Sequence, residues 1–146
     1  MAAFKNAFFW SLSRHDVFSR CYRRYYYQYY GYWHGWRSDA DEKASLVYRL
    51  KQMADARMLA GRAVHETIQD IVSRMKAGQT MPPEEATALA LDRFRSGWSA
   101  SSSHRWTANP KKGVNLFEHY YGASLGDHDK EALKMRIEES VAGFYD

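Results

Sequence analysis

The chain is dominated by the stretch SRHDVFSRCYRRYYYQYYGYWHGW, residues 13–36, which contains ten aromatic side chains. Between Arg14 and Arg37 there are five basic residues and one acidic residue, Asp16, so this segment carries a net charge of +4. The whole chain of 146 residues also carries +4. Its excess positive charge therefore coincides with its aromatic cluster. We call residues 13–37 the basic aromatic segment.

The basic aromatic segment is predicted to form one helix, because its side chains separate into two faces at about 100° per residue. Ser13 is the expected N-cap, and Gly31 is the expected stop. One face collects the apolar and aromatic side chains of Val17, Phe18, Cys21, Tyr22, Tyr25 and Tyr29. The opposite face carries the basic side chains, with two tyrosines beside them: Arg20, Arg23, Arg24, Tyr27 and Tyr30.

The two faces suggest different roles. The tyrosine face is typical of a core in which the rings are buried and the hydroxyls are bonded at the rim. The arginine face is either an ordinary solvated surface or a surface that binds phosphates. In the second interpretation Tyr27, Tyr30 or Trp33 would offer a stacking surface to unpaired bases.

Size and composition favour one folded domain, since 45% of the residues are hydrophobic. The single cysteine, Cys21, excludes an internal disulfide and any four-cysteine zinc or iron–sulfur site within the chain. It is expected to be a small buried hydrophobic residue. No segment approaches the roughly 18 apolar residues that cross a membrane, and the N-terminus has no credible signal peptide. The expected location is cytoplasmic.

The remainder of the chain predicts a mainly α-helical fold of about five helices, without alternating strands. A long helical region is expected from about Asp41 to Ala77, with Gly61 as a kink, a break or a point of close approach. It carries an apolar stripe at Val64, Ile68, Ile71, Val72 and Met75.

Two more helices are predicted, one starting at Pro83 and one starting near Asp127. Ser99 to Lys112 is polar and is predicted to be a loop. The last helix is expected to place Leu133, Ile137, Val141 and Phe144 on one side.

The six histidines show no HExxH spacing, and the chain has no phosphate-binding loop of the G-x-x-x-x-G-K-[ST] type. His65 lies at the edge of the apolar stripe. Its position alone is typical of a partly buried, hydrogen-bonded side chain, so spacing does not assign it a function.

Three motifs in order resemble the opening of RecB/Cas4-like nucleases of the PD-(D/E)XK superfamily: Ser11-Leu12-Ser13-Arg14, Cys21-x-Arg-Arg-Tyr-Tyr-Tyr and Gly61-x-x-x-His65. Such domains have a helix with Cys-Pro-basic-basic-aromatic and, about forty residues later, a helix opening with Gly-x-x-x-His. Here Tyr22 replaces the proline, which favours an uninterrupted helix. Leu116 to Gly122 and Gly143 to Tyr145 also resemble segments of this group.

The resemblance implies that His65 is a ligand of a catalytic Mg²⁺ or Mn²⁺, that Gly61 allows close packing, and that Arg20, Arg23 and Arg24 help to bind DNA. It implies DNA with a single-stranded or duplex end as partner, and it leaves open a helicase or a missing C-terminal nuclease core. The sheet of the family, with its aspartate and its D/E-x-K residues, has no counterpart here. We therefore expect residues 1–146 to be one helical unit of an incomplete nuclease domain, inactive alone.

Two other functions fit the same residues. The first is a non-catalytic nucleic-acid-binding module that uses the basic aromatic segment, with salt-dependent binding and no metal requirement. The second is a helical interaction protein that lays exposed tyrosine and tryptophan on a protein partner.

Overall fold

Helices make up the regular secondary structure of the described residues. The computed structural model describes residues 6–104, 106 and 109–146. Apart from an isolated bridge between Ala54 and Leu116, this part of the chain contains no strand. The predicted mainly helical fold class is confirmed. The helices of the described residues are α1 (Leu12–Arg20), α2 (Tyr22–Tyr29), α3 (Glu42–Lys51), α4 (Ala56–Lys76), α5 (Pro83–Ser102), α6 (Phe117–Tyr120) and α7 (Asp127–Ala142).

The chain divides into two compact units, Met1–Gln52 and Met53–Asp146. The expectation that residues 1–146 belong to one incomplete nuclease domain stays a prediction, since compactness does not identify the domain to which a unit belongs.

In the first unit the prediction of a single helix is wrong, because the helix is interrupted at Cys21. Cys21 adopts an extended backbone, with φ −166° and ψ 109°, and its Sγ accepts a hydrogen bond from the Arg24 N–H at 3.4 Å. The residue thus ends α1 and caps α2. The predicted burial of Cys21 is also wrong, because the side chain is exposed. The N-cap of α1 is Ser11 instead of Ser13, with Ser11 Oγ accepting from the Arg14 N–H at 3.2 Å.

Only one tyrosine of the predicted buried face is enclosed. Tyr25 is 8% exposed, whereas Tyr22 is 69% exposed. The Tyr25 ring contacts several aromatic neighbours, and its hydroxyl lies 3.5 Å from the Tyr30 hydroxyl. That hydrogen bond raises the pKa of Tyr25. The helix break at Cys21 explains why the predicted face is only partly buried, because side chains before and after the break no longer follow the spacing of one continuous helix.

The long helical region is interrupted, but not at Gly61. Helix α3 ends at Lys51, and α4 begins at Ala56 with Asp55 as its cap. Between them Ala54 is extended, with its N–H donating to the Asn115 carbonyl and its carbonyl accepting from the Phe117 N–H, both at 2.9 Å. The break is therefore caused by contacts with residues sixty positions later. Gly61 lies inside the continuous helix α4.

The second unit is built around α4, α5 and α7, and the predicted helix starts at Pro83 and Asp127 are confirmed. Helix α5 runs to Ser102, four residues into the loop predicted from Ser99 to Lys112, of which residues 105, 107 and 108 lie outside the described residues. Small side chains on α4 and α5 let the helices approach closely. The buried cluster is Ala56, Ala60, Ile71, Met81, Ala86, Ala90, Leu133, Ile137 and Val141. Phe144, predicted on the same side, is 38% exposed.

Polar contacts fix the helices of the second unit. Arg93 on α5 donates to Thr67 Oγ1 at 2.9 Å and to Asp70 Oδ2 at 2.6 Å, both on α4. The Oγ of the fully buried Ser101 accepts from the Leu116 N–H at 2.9 Å and lies 2.8 Å from His119 Nδ1. The segment that includes α6 is thereby tied to the end of α5.

Candidate functional site

Helix α4 carries apolar side chains on two faces, and His65 lies on the one that is less buried. The packed face is formed by Ala56, Leu59, Ala60, Ala63, Thr67 and Ile71, all buried. On the opposite side, at alternating spacings of three and four residues, lie Met58, Gly61, His65, Ile68, Val72 and Met75. We call this second set the His65 face.

The His65 face is open to solvent over most of its length. Met58 and Met75, at its two ends, are each 60% exposed. His65 itself is exposed, and Ile68 and Val72 are half-buried. His65 thus lies among four apolar side chains on one side of the helix, and the two methionines are the most exposed of them. His65 is therefore exposed, and the prediction that it is partly buried at the edge of the core is wrong.

The immediate surroundings of His65 contain few metal-binding groups. Its Nε2 lies 3.0 Å from Nε2 of Gln69, one turn later. The two nearest carboxylates along the helix are already paired, Glu66 with Arg62 at 2.8 Å and Asp70 with Arg93 at 2.6 Å. Both carboxylates are partly exposed, so either pair would exchange partners at a small cost.

Gly61 has open space where its side chain would be. A Cβ built on Gly61 meets nothing within 4 Å. The predicted kink or break at this residue is wrong, and no close approach is found among the described residues. A glycine within a helix costs about 0.8–1.0 kcal/mol relative to alanine, so the described contacts do not account for its presence.

The predicted nucleic-acid-binding residues lie in the first unit and are divided between two helices. Arg20 ends α1, whereas Arg23 and Arg24 belong to α2, and all three side chains are exposed. Arg20 therefore does not share one continuous helical face with the other two. Tyr27 and Tyr30 are half-buried.

Two cations lie over the Tyr27 ring. Arg23 Cζ is 5.9 Å and Lys43 Nζ is 5.4 Å from its centroid. The Lys43 ammonium beside the hydroxyl lowers the pKa of Tyr27, and the same contact raises the pKa of Lys43. Such cation–π contacts hold the basic side chains against the rings.

The spacing of residues within the basic aromatic segment did not predict that cations from another helix of the first unit also contact its tyrosine rings. Lys43 belongs to α3, as does Lys51, whose Nζ lies 3.4 Å above the centroid of the Tyr32 ring. Lys51 also donates to the Gln28 carbonyl at 2.6 Å. Arg14 Cζ lies 4.3 Å from the centroid of Tyr29. No sequence pattern could have found the two lysines, because an intervening loop brings α3 back to α2.

A comparison with models of known protein families identifies the family of this chain. The family model described as the PD-(D/E)XK nuclease superfamily matches residues 9–145. The chain belongs to the PD-(D/E)XK nuclease superfamily. Comparison with curated proteins and with solved structures finds no match.

Membership of the PD-(D/E)XK superfamily suggests a nuclease function and implies a nucleic acid as substrate. Nucleases of this superfamily typically depend on a divalent metal. None of the described helices is both long and apolar enough to cross a lipid bilayer.

The described residues do not fit a complete metal site of this superfamily. Within residues 6–104, 106 and 109–146, no group of three or more histidine, cysteine, aspartate or glutamate side chains could hold a metal ion. Mg²⁺ and Mn²⁺ prefer several oxygen ligands, and His65 supplies one nitrogen. We therefore derive no step of phosphodiester hydrolysis from these side chains.

Proposed function

We propose that the chain is the N-terminal helical part of a RecB/Cas4-like nuclease, a metal-dependent enzyme that cleaves DNA in repair or recombination. The observation that carries this proposal is the His65 face of α4. A partly exposed stripe that contains Met58, Ile68, Val72 and Met75 is suited to pack against another layer of secondary structure. A catalytic sheet on this face would bring its acidic side chains next to His65.

Gly61 supports the same arrangement independently. A glycine in the interior of a helix usually has a packing or functional reason, and the described residues provide none within 4 Å. A strand that crosses α4 at this point would need the space that a Cβ would fill. The glycine and the histidine are one turn apart, so the point of closest approach would lie beside His65.

In the complete domain His65 would be one ligand of a Mg²⁺ or Mn²⁺ ion, and acidic residues of the sheet would supply the others. Arg20, Arg23 and Arg24 would contact DNA phosphates, since all three are exposed. Tyr27 and Tyr30 would hold the basic side chains or stack against unpaired bases. Residues 1–146 alone would bind DNA without cleaving it.

A non-catalytic nucleic-acid-binding module is the second candidate, and the cations over the tyrosine rings of the first unit favour it. Such a module would bind without metal and with a strong dependence on salt. Arg23→Ala or Arg24→Ala would weaken binding to all sequences by similar factors.

The first test is to read the gene beyond the codon for Asp146 and to express the complete open reading frame. A frame that continues into a Gly-x-x-Asp strand and an Asp/Glu-x-Lys strand supports the nuclease. A stop codon at that point contradicts it and leaves the non-catalytic binding module.

With the complete protein, His65→Ala should abolish Mg²⁺- or Mn²⁺-dependent cleavage of DNA and leave DNA binding largely intact. His128→Ala is the matched control, because His128 is an exposed histidine on α7 and has no role in the proposed site. Equal loss of cleavage and binding in His65→Ala would indicate a folding role and contradict the assignment of His65 as a metal ligand.

A further inference from the structure

A pocket of about 350 Å³ lies between α5 and α7 in the second unit. Its apolar wall includes Phe94 and Trp98 from α5 and Leu133 from α7. Three cations line it as well, Arg95, Lys130 and Lys134. The volume is within the range of about 300–1,000 Å³ that is typical of small-ligand sites.

The aromatic wall of this α5–α7 pocket is held in place by neighbours. The Trp98 ring makes an edge contact with the His119 ring at 4.5 Å between centroids, and Phe94 lies 6.2 Å away on the preceding turn. His119 is itself fixed, because its Nδ1 lies 2.8 Å from the Oγ of the fully buried Ser101. The indole therefore provides a preorganised flat surface, which lowers the entropy cost of stacking.

The three cations are available to an anionic ligand. Each is paired with a carboxylate three residues earlier on its own helix: Arg95 with Asp92, Lys130 with Asp127 and Lys134 with Glu131, at 2.8–3.0 Å. All three pairs are exposed, with 47–66% of each cationic side chain accessible. Exposed pairs of this kind contribute little, so a phosphate can replace a carboxylate partner cheaply.

We propose that the α5–α7 pocket binds an unpaired nucleobase against Trp98 and places its phosphate among Arg95, Lys130 and Lys134. A flat apolar wall with a cationic rim matches a nucleotide, which is an aromatic ring joined to an anion. The nucleotide is either part of a single strand or free. This inference rests on the proposed nucleic-acid function and adds a site whose lining residues do not include any residue of the His65 face.

The test uses an oligonucleotide that contains 2-aminopurine, a base whose fluorescence falls when it stacks on an aromatic ring. Binding to the 146-residue chain should quench the fluorescence, and Trp98→Leu should remove the quenching and weaken binding by roughly 5- to 100-fold. Tyr121→Leu is the matched control, since Tyr121 is 65% exposed and lies outside the pocket lining. Circular dichroism checks that each variant is folded.

A charge variant keeps the test decisive if Trp98→Leu does not fold. Lys130→Gln with Lys134→Gln changes exposed side chains only. It should reduce the magnitude of the slope of log affinity against log salt by up to about 0.7, the value for one phosphate contact on a single strand. Lys76→Gln with Lys112→Gln removes the same charge elsewhere on the surface and should change the slope less. Competition with deoxyadenosine monophosphate distinguishes a free nucleotide from a strand.

Three results would contradict nucleotide binding in the α5–α7 pocket. They are no quenching with the unmodified chain, quenching that Trp98→Leu leaves unchanged, and an equal change of the salt slope in the pocket and control lysine variants. The nuclease proposal is judged separately by cleavage in the complete protein. Cleavage with an unchanged KM in the pocket variants refutes the pocket and leaves the nuclease. Quenching that depends on Trp98, in a complete protein that does not cleave, refutes the nuclease and leaves the pocket.

Discussion

Gly61→Ala should stabilise the 146-residue chain, although Gly61 belongs to a motif that the nuclease resemblance makes functional. The added methyl group meets nothing within 4 Å, so it causes no overlap in the described structure. Alanine in a helix interior is favoured over glycine by about 0.8–1.0 kcal/mol. The expected gain in the free energy of unfolding is therefore about 1 kcal/mol.

Gly97→Ala is the matched control, because it makes the same change inside another helix of the second unit. A Cβ at Gly97 would lie 2.7 Å from Leu59 Cδ1, and Leu59 is 6% exposed. Overpacking of this kind costs about 1–3 kcal/mol and is offset by the same helix preference of about 1 kcal/mol. The two variants should thus differ by about 1–3 kcal/mol, with Gly97→Ala the less stable.

Urea unfolding followed by circular dichroism measures both variants. With an m value of about 1–3 kcal/mol/M, the gain for Gly61→Ala moves the midpoint upwards by roughly 0.3–1 M. A loss of stability in Gly61→Ala would refute the open environment assigned to this residue. In a complete nuclease with a sheet on the His65 face, the same substitution should become destabilising, and an unchanged gain there would contradict the proposed packing.

Two further substitutions test contacts that the structure adds to the sequence. Ser101→Ala should lower the free energy of unfolding by about 1–3 kcal/mol, because it leaves the buried Leu116 N–H without its acceptor and releases His119; a loss below 0.5 kcal/mol, measured by urea unfolding, would contradict it. Lys43→Met should raise the pKa of Tyr27, because the ammonium that favours the ionised phenolate is removed. At pH values between the lowered pKa of Tyr27 and the raised pKa of Lys43, the pair consists of a phenolate and an ammonium. The attraction between them is lost when the pH falls through the pKa of Tyr27, and it is also lost when the pH rises through the pKa of Lys43. Ultraviolet titration of tyrosinate, compared with Lys51→Met as control, measures the shift.

Local patterns predicted the starts of two helices from residues that favour the first helical turn. Pro83 at the start of α5 and Asp127 at the start of α7 are examples, and the buried positions of Leu133, Ile137 and Val141 followed from helical periodicity. These features depend on residues a few positions apart, which a sequence displays directly.

Two helix breaks escaped prediction because their causes are not periodic. At Cys21 a thiol takes the capping role that serine or aspartate usually has. At Ala54 the break depends on hydrogen bonds with Asn115 and Phe117, and no local pattern identifies partners sixty residues away. The cations over Tyr27 and Tyr32 and the α5–α7 pocket were missed for the same reason.

The sequence pattern did not show which face of α4 is buried. Of the residues in its apolar stripe, only Ile71 is buried, at 1% exposure. Half of the buried residues on the packed face are alanines, whose small side chains give a weak hydrophobic signal but allow helices to approach closely.

A helix that is apolar on two sides is characteristic of the interior of a larger fold, because a surface helix needs only one apolar stripe. A surface that only faces solvent does not need methionines at both ends of the His65 face, or isoleucine and valine between them. Alanines on one side suit contact with other helices, and larger branched side chains on the other suit the broad surface of a sheet. His65 and Gly61 lie within that second stripe, so whatever covers α4 would meet a potential metal ligand at its point of closest approach. In the proposed complete nuclease, this one helix would both pack against the sheet and supply a metal ligand.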